Sequence, residues 1–160
     1  YSPEADQLSS FKAHIEAARR TDLPLIIHTR EADTKMAELL EDEMGKGAFR
    51  PLMHCYTSGN ELAQRAAKLG AWFAASGIIT FKKAENVREV FRDHIPDTKI
   101  IVETDCPYLA PIPHRGRRCE PSFLPAVAAG LAAVKGWSDE ECAKRTTDAF
   151  FDLFDKVPRP

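Results

Sequence analysis

Two hydrophobic rhythms alternate along the chain: amphipathic stretches with a period near 3.6, and short unbroken apolar runs. Residues 6–20 place Leu8, Phe11, Ile15 and Ala18 on one face, which predicts a helix. After Pro24, the run Leu25-Ile26-Ile27-His28 predicts a strand without polar alternation, as in a parallel sheet covered on both faces. The cycle then repeats. A helix over 31–43 turns Ala32, Met36, Leu39 and Leu40 inward, a Gly45-Lys46-Gly47 turn follows, and Pro51-Leu52-Met53-His54-Cys55 makes a second strand. Ser58 and Glu61 form a capping-box signature for a helix through Leu69, closed by Gly70. Ala71-Trp72-Phe73-Ala74-Ala75-Ser76 is a third strand, ending at Gly77. A helix over 84–94 uses Val87, Val90 and Phe91 and stops at Pro96. Residues 99–105 form the fourth strand, and a proline-rich loop over 106–121 leads to a helix at 122–135. Ser138 and Glu141 make a second capping box, for a last helix near 139–154.

Four alternations of helix and strand predict an α/β fold with parallel β/α units and no internal linker, one unit over 1–160. Two architectures accommodate them, a doubly wound open sheet and part of a (β/α)8 barrel. A full barrel takes about 250 residues, so the length of 160 favours the open sheet. The residues at the strand ends favour the barrel.

Composition enters mainly by exclusion. A net charge of −2 gives no bulk case for nucleic acid, so such a role would need a local patch. The longest apolar runs are strand-sized, and no membrane association is expected. The first residues carry no secretory signal pattern and no initiator Met, and the chain is expected to begin partway through a longer one. Cys55, Cys106, Cys119 and Cys142 show neither CxxC nor zinc spacing, so reduced thiols in a cytoplasmic protein are expected.

The chemistry gathers at the carboxyl ends of the predicted strands, where parallel α/β folds build their sites. There stand His28, His54, the Ser76-Gly77 pair, Glu103 and Asp105. One histidine alone reads as a satisfied core residue. Two that end consecutive strands, with a carboxylate ending another, suit a divalent metal held by His28, His54 and Asp105. Strand alternation turns Cys55 and Cys106 toward the helices, as core residues and not ligands. Glu103 and Asp105 share a face. Asp105 is the better ligand or general base, whereas Glu103 could orient it, bind a histidine behind the metal, or pair with an arginine. The loop His114-Arg115-Gly116-Arg117-Arg118 offers three guanidinium forks that match phosphate oxygens, or simply a solvated basic loop. Lys82 and Lys83 could join that face; His14 and His94 lie in helices and are not expected to ligate.

These phrases carry a resemblance. Pro24-Leu25-Ile26-Ile27-His28-Thr29-Arg30-Glu31-Ala32, His54-Cys55-Tyr56-Thr57-Ser58-Gly59 and Ser76-Gly77-Ile78-Ile79-Thr80-Phe81-Lys82-Lys83 resemble those of the TatD family of metal-dependent deoxyribonucleases. So do Glu103-Thr104-Asp105-Cys106-Pro107-Tyr108-Leu109-Ala110-Pro111 and the stretch from His114 to Pro121, in order and over about residues 1–155. The resemblance implies a TIM-barrel hydrolase that cuts phosphodiesters in DNA or nucleotides with divalent ions (Mg, Mn or Zn). It implies that His28, His54 and Asp105 are metal ligands; the reading of the residues themselves adds Asp105 and Glu103 as the catalytic carboxylates and Arg115, Arg117 and Arg118 on the substrate phosphate. Two features depart from the family pattern. Cys119 stands where the family usually has Asn, and the His-x-His pair and strand-borne glutamate expected before residue 1 are not in this chain. Tyr1 resembles the residue just beyond that glutamate strand. The chain therefore resembles the second half of the barrel, strands five to eight. Alone it is expected to be impaired or inactive, with open edge strands and exposed apolar faces that favour self-association or pairing with the other half. A barrel metallohydrolase acting on amides or esters, or a non-catalytic fragment or binding module, are the alternative readings.

Overall fold

A computed structural model describes residues 2–159, so the reading of Tyr1 lies outside the described residues. Helix α1 (Glu4–Thr21) leads into β1 (Leu25–Ile27), then α2 (Asp33–Lys46), β2 (Pro51–Met53), α3 (Asn60–Lys68) and β3 (Trp72–Ala75). A 3-10 turn over Gly77–Thr80 precedes α4 (Glu85–Asp93), and β4 (Ile100–Val102) follows. After a 3-10 turn at Pro121–Phe123, α5 (Leu124–Lys135) and α6 (Asp139–Leu153) end the chain.

The four strands lie in one sheet in sequence order, every neighbouring pair parallel. Ile26 pairs with Leu52, Met53 with Phe73, and Ala74 with Ile101. Side-chain alternation then gives the sheet two apolar faces. On one, Ile27, Met53, Phe73, Ala75 and Ile100 pack with Ile15, Leu40, Leu62, Phe91, Val127 and Leu131 from the helices, and most are fully buried. Each such large side chain contributes about 1.5–3 kcal/mol by leaving water. On the other, Leu52, Trp72, Ala74 and Ile101 pack against Ala149, Leu153 and Phe154 of α6 and its end. The expected exposed apolar face is therefore covered by α6 over β2 to β4. Toward β1 it opens, where Ile26 is 60% exposed. Arg50 anchors this arrangement: it donates to the Leu153 carbonyl at 3.0 Å and pairs with Asp155 at 2.8 Å.

Several local expectations need correction. Helix α2 runs on to Lys46 through the predicted glycine turn and ends at Gly47. Arg19 donates to the Gly47 and Glu43 carbonyls and meets the Glu43 carboxylate at 3.1 Å, which holds that helical end in place. At α3 the N-cap is Gly59, not Ser58; its N–H donates to Asp33 Oδ2 at 2.9 Å, so its partner comes from the first residue of α2. The capping box at α6 is present, with Ser138 Oγ accepting from the Glu141 N–H at 3.1 Å. Among the described residues, no helix is long and apolar enough to cross a membrane.

Candidate active site

Each strand stops short of the residue expected to act, so those residues sit in the loops at the sheet's carboxyl edge. His28 follows β1, His54 follows β2, and Glu103 and Asp105 follow β4. By alternation they continue the face of Ile26, Leu52 and Ile101, and neighbouring strands bring them together. The Glu103 N–H donates to the Ala75 carbonyl at 3.0 Å and the His54 N–H to the Ile27 carbonyl at 2.9 Å, which extends the sheet pairing into the site.

His54 is held between two carboxylates. Its Nδ1 meets Glu103 Oε2 at 2.8 Å, and its Nε2 lies 3.3 Å from Asp105 Oδ1. With Nδ1 donating to Glu103, the lone pair belongs to Nε2, the nitrogen that faces Asp105. Glu103 is thus the partner behind the histidine; its carboxylate pairs with His54 and not with an arginine. Burial pushes the Glu103 carboxyl above its ordinary range, while the His54 hydrogen bond and charge act against that shift. Its second oxygen, Oε1, is buried without a partner. The His28 ring lies 5.9 Å from that of His54, centre to centre. His28 itself is exposed and also lines a groove of about 570 Å³ with Phe11, His14, Lys35 and Met36.

The donor set partly fits a divalent ion. Two donors each about 2.0–2.1 Å from one tetrahedral ion stand about 3.3–3.4 Å apart, and His54 Nε2 and Asp105 Oδ1 are 3.3 Å apart. Among the described residues, no three His, Cys, Asp or Glu side chains are drawn together closely enough to enclose an ion. The pair could hold an ion with open coordination positions, and His28 would have to move toward it.

Arg115, Arg117 and Arg118 are exposed, and among the described residues none of them is ion-paired. Arg115 stacks over the Phe81 ring at 3.8 Å, Arg117 lies 5.6 Å from the Phe123 ring, and His114 stacks on Phe123 at 3.9 Å. The basic loop is therefore anchored on aromatic rings and not on the carboxylates. Two further residues, whose roles went unread in the sequence, fix it to the loop after β3. Thr80 Oγ1 accepts from the Ile112 N–H at 2.9 Å, and a Cβ on Gly77 would stand 1.8 Å from the Leu109 carbonyl oxygen. The Ser76-Gly77 pair was the visible signal for that close approach.

The cysteine expectations hold only in part. Cys55 is half-buried with its Sγ 3.2 Å from Ser76 Oγ, and burial pushes its thiol up to about 11. Cys106 is exposed and belongs to no core. Strand alternation does not reach it, because the chain turns out of the extended region at Asp105, with φ +56°.

Sequence and structure comparisons place the chain in a known family. The family described as TatD related DNase matches residues 1–155. The uncharacterized metal-dependent hydrolase YcfH of Escherichia coli (strain K12) is 40% identical over 156 residues, which is 96% of this chain and 58% of that protein. A protein of Escherichia fergusonii named 3'-5' ssDNA/RNA exonuclease TatD is 31% identical, over 92% of this chain and 58% of its own length. The crystal structure of YJJV, a TatD homolog from Escherichia coli K12, superposes with a TM-score of 0.79 and 26% identity, covering 90% of this chain and 54% of that one. The chain thus spans little more than half the length of the relatives it matches.

Proposed function

We propose, because the chain belongs to the TatD-related DNase family, that it supplies the second half of a (β/α)8 barrel and part of a metal-dependent centre that hydrolyses phosphodiester bonds in DNA. The observation that carries this reading is His54, oriented by Glu103 at 2.8 Å with its other nitrogen 3.3 Å from Asp105. Four parallel strands in sequential order and a match to 58% of a relative's length support the half-barrel reading.

In this reading His54 Nε2 and Asp105 would hold a divalent ion, and His28 would join them. A divalent ion, when bound, would acidify water and polarise a phosphoryl oxygen. Glu103 keeps the His54 ring in the tautomer that leaves Nε2 free. The Asp105 carboxylate accepts a proton from the attacking water. Arg115, Arg117 and Arg118 bind the phosphate and offset the negative charge that develops on it. Their exposed, unpaired guanidinium groups favour a phosphate over a neutral amide or a carboxyl ester. Ile26, exposed on the face that carries the site, is the place where the other barrel half, or a second copy, would pack.

The test is a nuclease assay on 3'-labelled single-stranded DNA with Mg²⁺ or Mn²⁺. The chain alone is expected to cleave orders of magnitude more slowly than a polypeptide that also carries the first four strands. The reading frame upstream of residue 1 is expected to encode His-x-His and a strand-borne Glu. Failure of the longer polypeptide to cleave, or cleavage that survives EDTA and Asp105→Asn, would overturn the proposal.

A further inference from the structure

The loop that begins beside Asp105 and carries the arginines returns to its own starting point. The Cys119 N–H donates to the Pro107 carbonyl at 3.0 Å, which lays residue 119 against the start of the loop. Both thiols at this closure converge on one residue. Cys106 Sγ donates to Thr104 Oγ1 at 3.1 Å, and Cys119 Sγ lies 3.6 Å from the Thr104 carbonyl oxygen. Burial, and after it the neighbouring Cys106 thiol, push the Cys119 thiol up. They differ sharply in access: Cys106 is exposed and Cys119 is 1% exposed. The remaining cysteines lie elsewhere, Cys55 against Ser76 and Cys142 with its Sγ 3.4 Å from the Ala128 carbonyl between α5 and α6.

We propose that Cys106 and Cys119 are an oxidation site for hydroperoxides, with Cys106 the attacking sulfur and Cys119 the resolving one. The Cys106 sulfur attacks one peroxide oxygen, the O–O bond breaks, and water (or an alcohol, from an organic peroxide) leaves with the thiol proton; the product is a sulfenic acid. The Cys119 sulfur then attacks the Cys106 sulfur, the S–O bond breaks, and hydroxide leaves with the Cys119 proton as a second water. In sum, two thiols lose two electrons and two protons, and one hydrogen peroxide becomes two waters. The disulfide closes the 106–119 loop covalently at its base, so Arg115, Arg117 and Arg118 ride on a ring anchored next to Asp105. This chemistry is independent of what the arginines bind.

The experiment treats the native chain with hydrogen peroxide, followed by intact mass measurement and peptide mapping under non-reducing conditions. The expected result is loss of two hydrogens per chain, a fall in free thiols from four to two, and a mapped link between Cys106 and Cys119. Trypsin cleavage after Arg115, Arg117 or Arg118 should then give fragments that stay joined until reductant is added. Cys106→Ser and Cys119→Ser should each abolish the link, and Cys55→Ser should retain it. Addition of oxygen at Cys106 without loss of hydrogens overturns the proposal, as does a link to Cys55 or Cys142 or a link between two chains. The wild-type map alone decides, whatever the variants' stability.

Discussion

Replacing Gly77 by alanine tests how tightly the site's two loops are joined. The added Cβ would lie 1.8 Å from the Leu109 carbonyl oxygen, 3.0 Å from its carbon and 3.2 Å from the Pro111 nitrogen. Ordinary contact begins near 3.4 Å, so backbone atoms must retreat by about 1.6 Å. The obstacle is not a side-chain tip that could swing aside. It belongs to the segment four residues beyond Asp105, which is pinned to Thr80 by the Ile112 N–H. Forced backbone shifts of this kind cost about 1–3 kcal/mol. Alanine restricts the unfolded chain and offsets about 0.4–1 kcal/mol of that. The net expectation is a loss of about 1–2 kcal/mol, or about 2–8 °C in Tm for a chain of this size. Urea unfolding should show a lower midpoint with an unchanged slope. Gly45→Ala is the control: it lies inside α2 with nothing within 4 Å of the new Cβ, and helix propensity predicts a gain of about 1 kcal/mol. If Gly77→Ala is as stable as the wild type while Gly45→Ala gains, the close approach of the two loops is wrong.

Glu43 gives an acid-dependent prediction. Its carboxyl is held below its ordinary 4.5, first by the Lys46 hydrogen bond, then by Arg19, against the opposing effect of burial. A depressed folded-state value stabilises the chain above about pH 4.5, and that stability is lost as pH falls through the folded value. Glu43→Gln should therefore cost on the order of 1 kcal/mol at pH 7, with the difference closing below pH 4.5; a constant difference down to pH 3 would contradict it. Ser138→Ala should cost about 1 kcal/mol by orphaning the Glu141 N–H. Ser58→Ala should stay within about 0.5 kcal/mol, because Gly59 caps α3; chemical denaturation of both checks the reassigned cap. Arg117→Ala with Arg118→Ala should lower phosphodiester cleavage more than carboxyl-ester cleavage in the longer polypeptide, and equal losses would sink the phosphate assignment.

The strands were legible because each is a short apolar run, and the helices because their apolar positions recur at helical spacing. The site was legible as a set of strand-end residues. Spacing placed Glu103 on the face of Asp105, yet left three partners open; the sheet, by setting β2 and β4 to either side of β3, brings it to His54, 49 positions away. What failed was extrapolation past the strand ends. At Cys55, with φ +45°, and Asp105, with φ +56°, the backbone leaves the extended region and side-chain alternation stops. Cys106 therefore turned out exposed. The Ser58 capping box is displaced by one residue: α3 starts at Asn60, so Gly59 is the N-cap, and its N–H is met by Asp33, 26 positions upstream. Nor could periodicity show that α6 packs over Leu52 and Trp72, since its apolar stripe names no partner.

The most direct test of the central claim is calorimetric titration of the chain with Zn²⁺ and Mn²⁺, with EDTA reversal. The account predicts one ion bound per chain, with affinity reduced about 10–100-fold in Glu103→Gln and binding lost in His54→Ala and Asp105→Asn. Binding unchanged by His54→Ala and Asp105→Asn, or no binding by a folded wild-type chain, would contradict it.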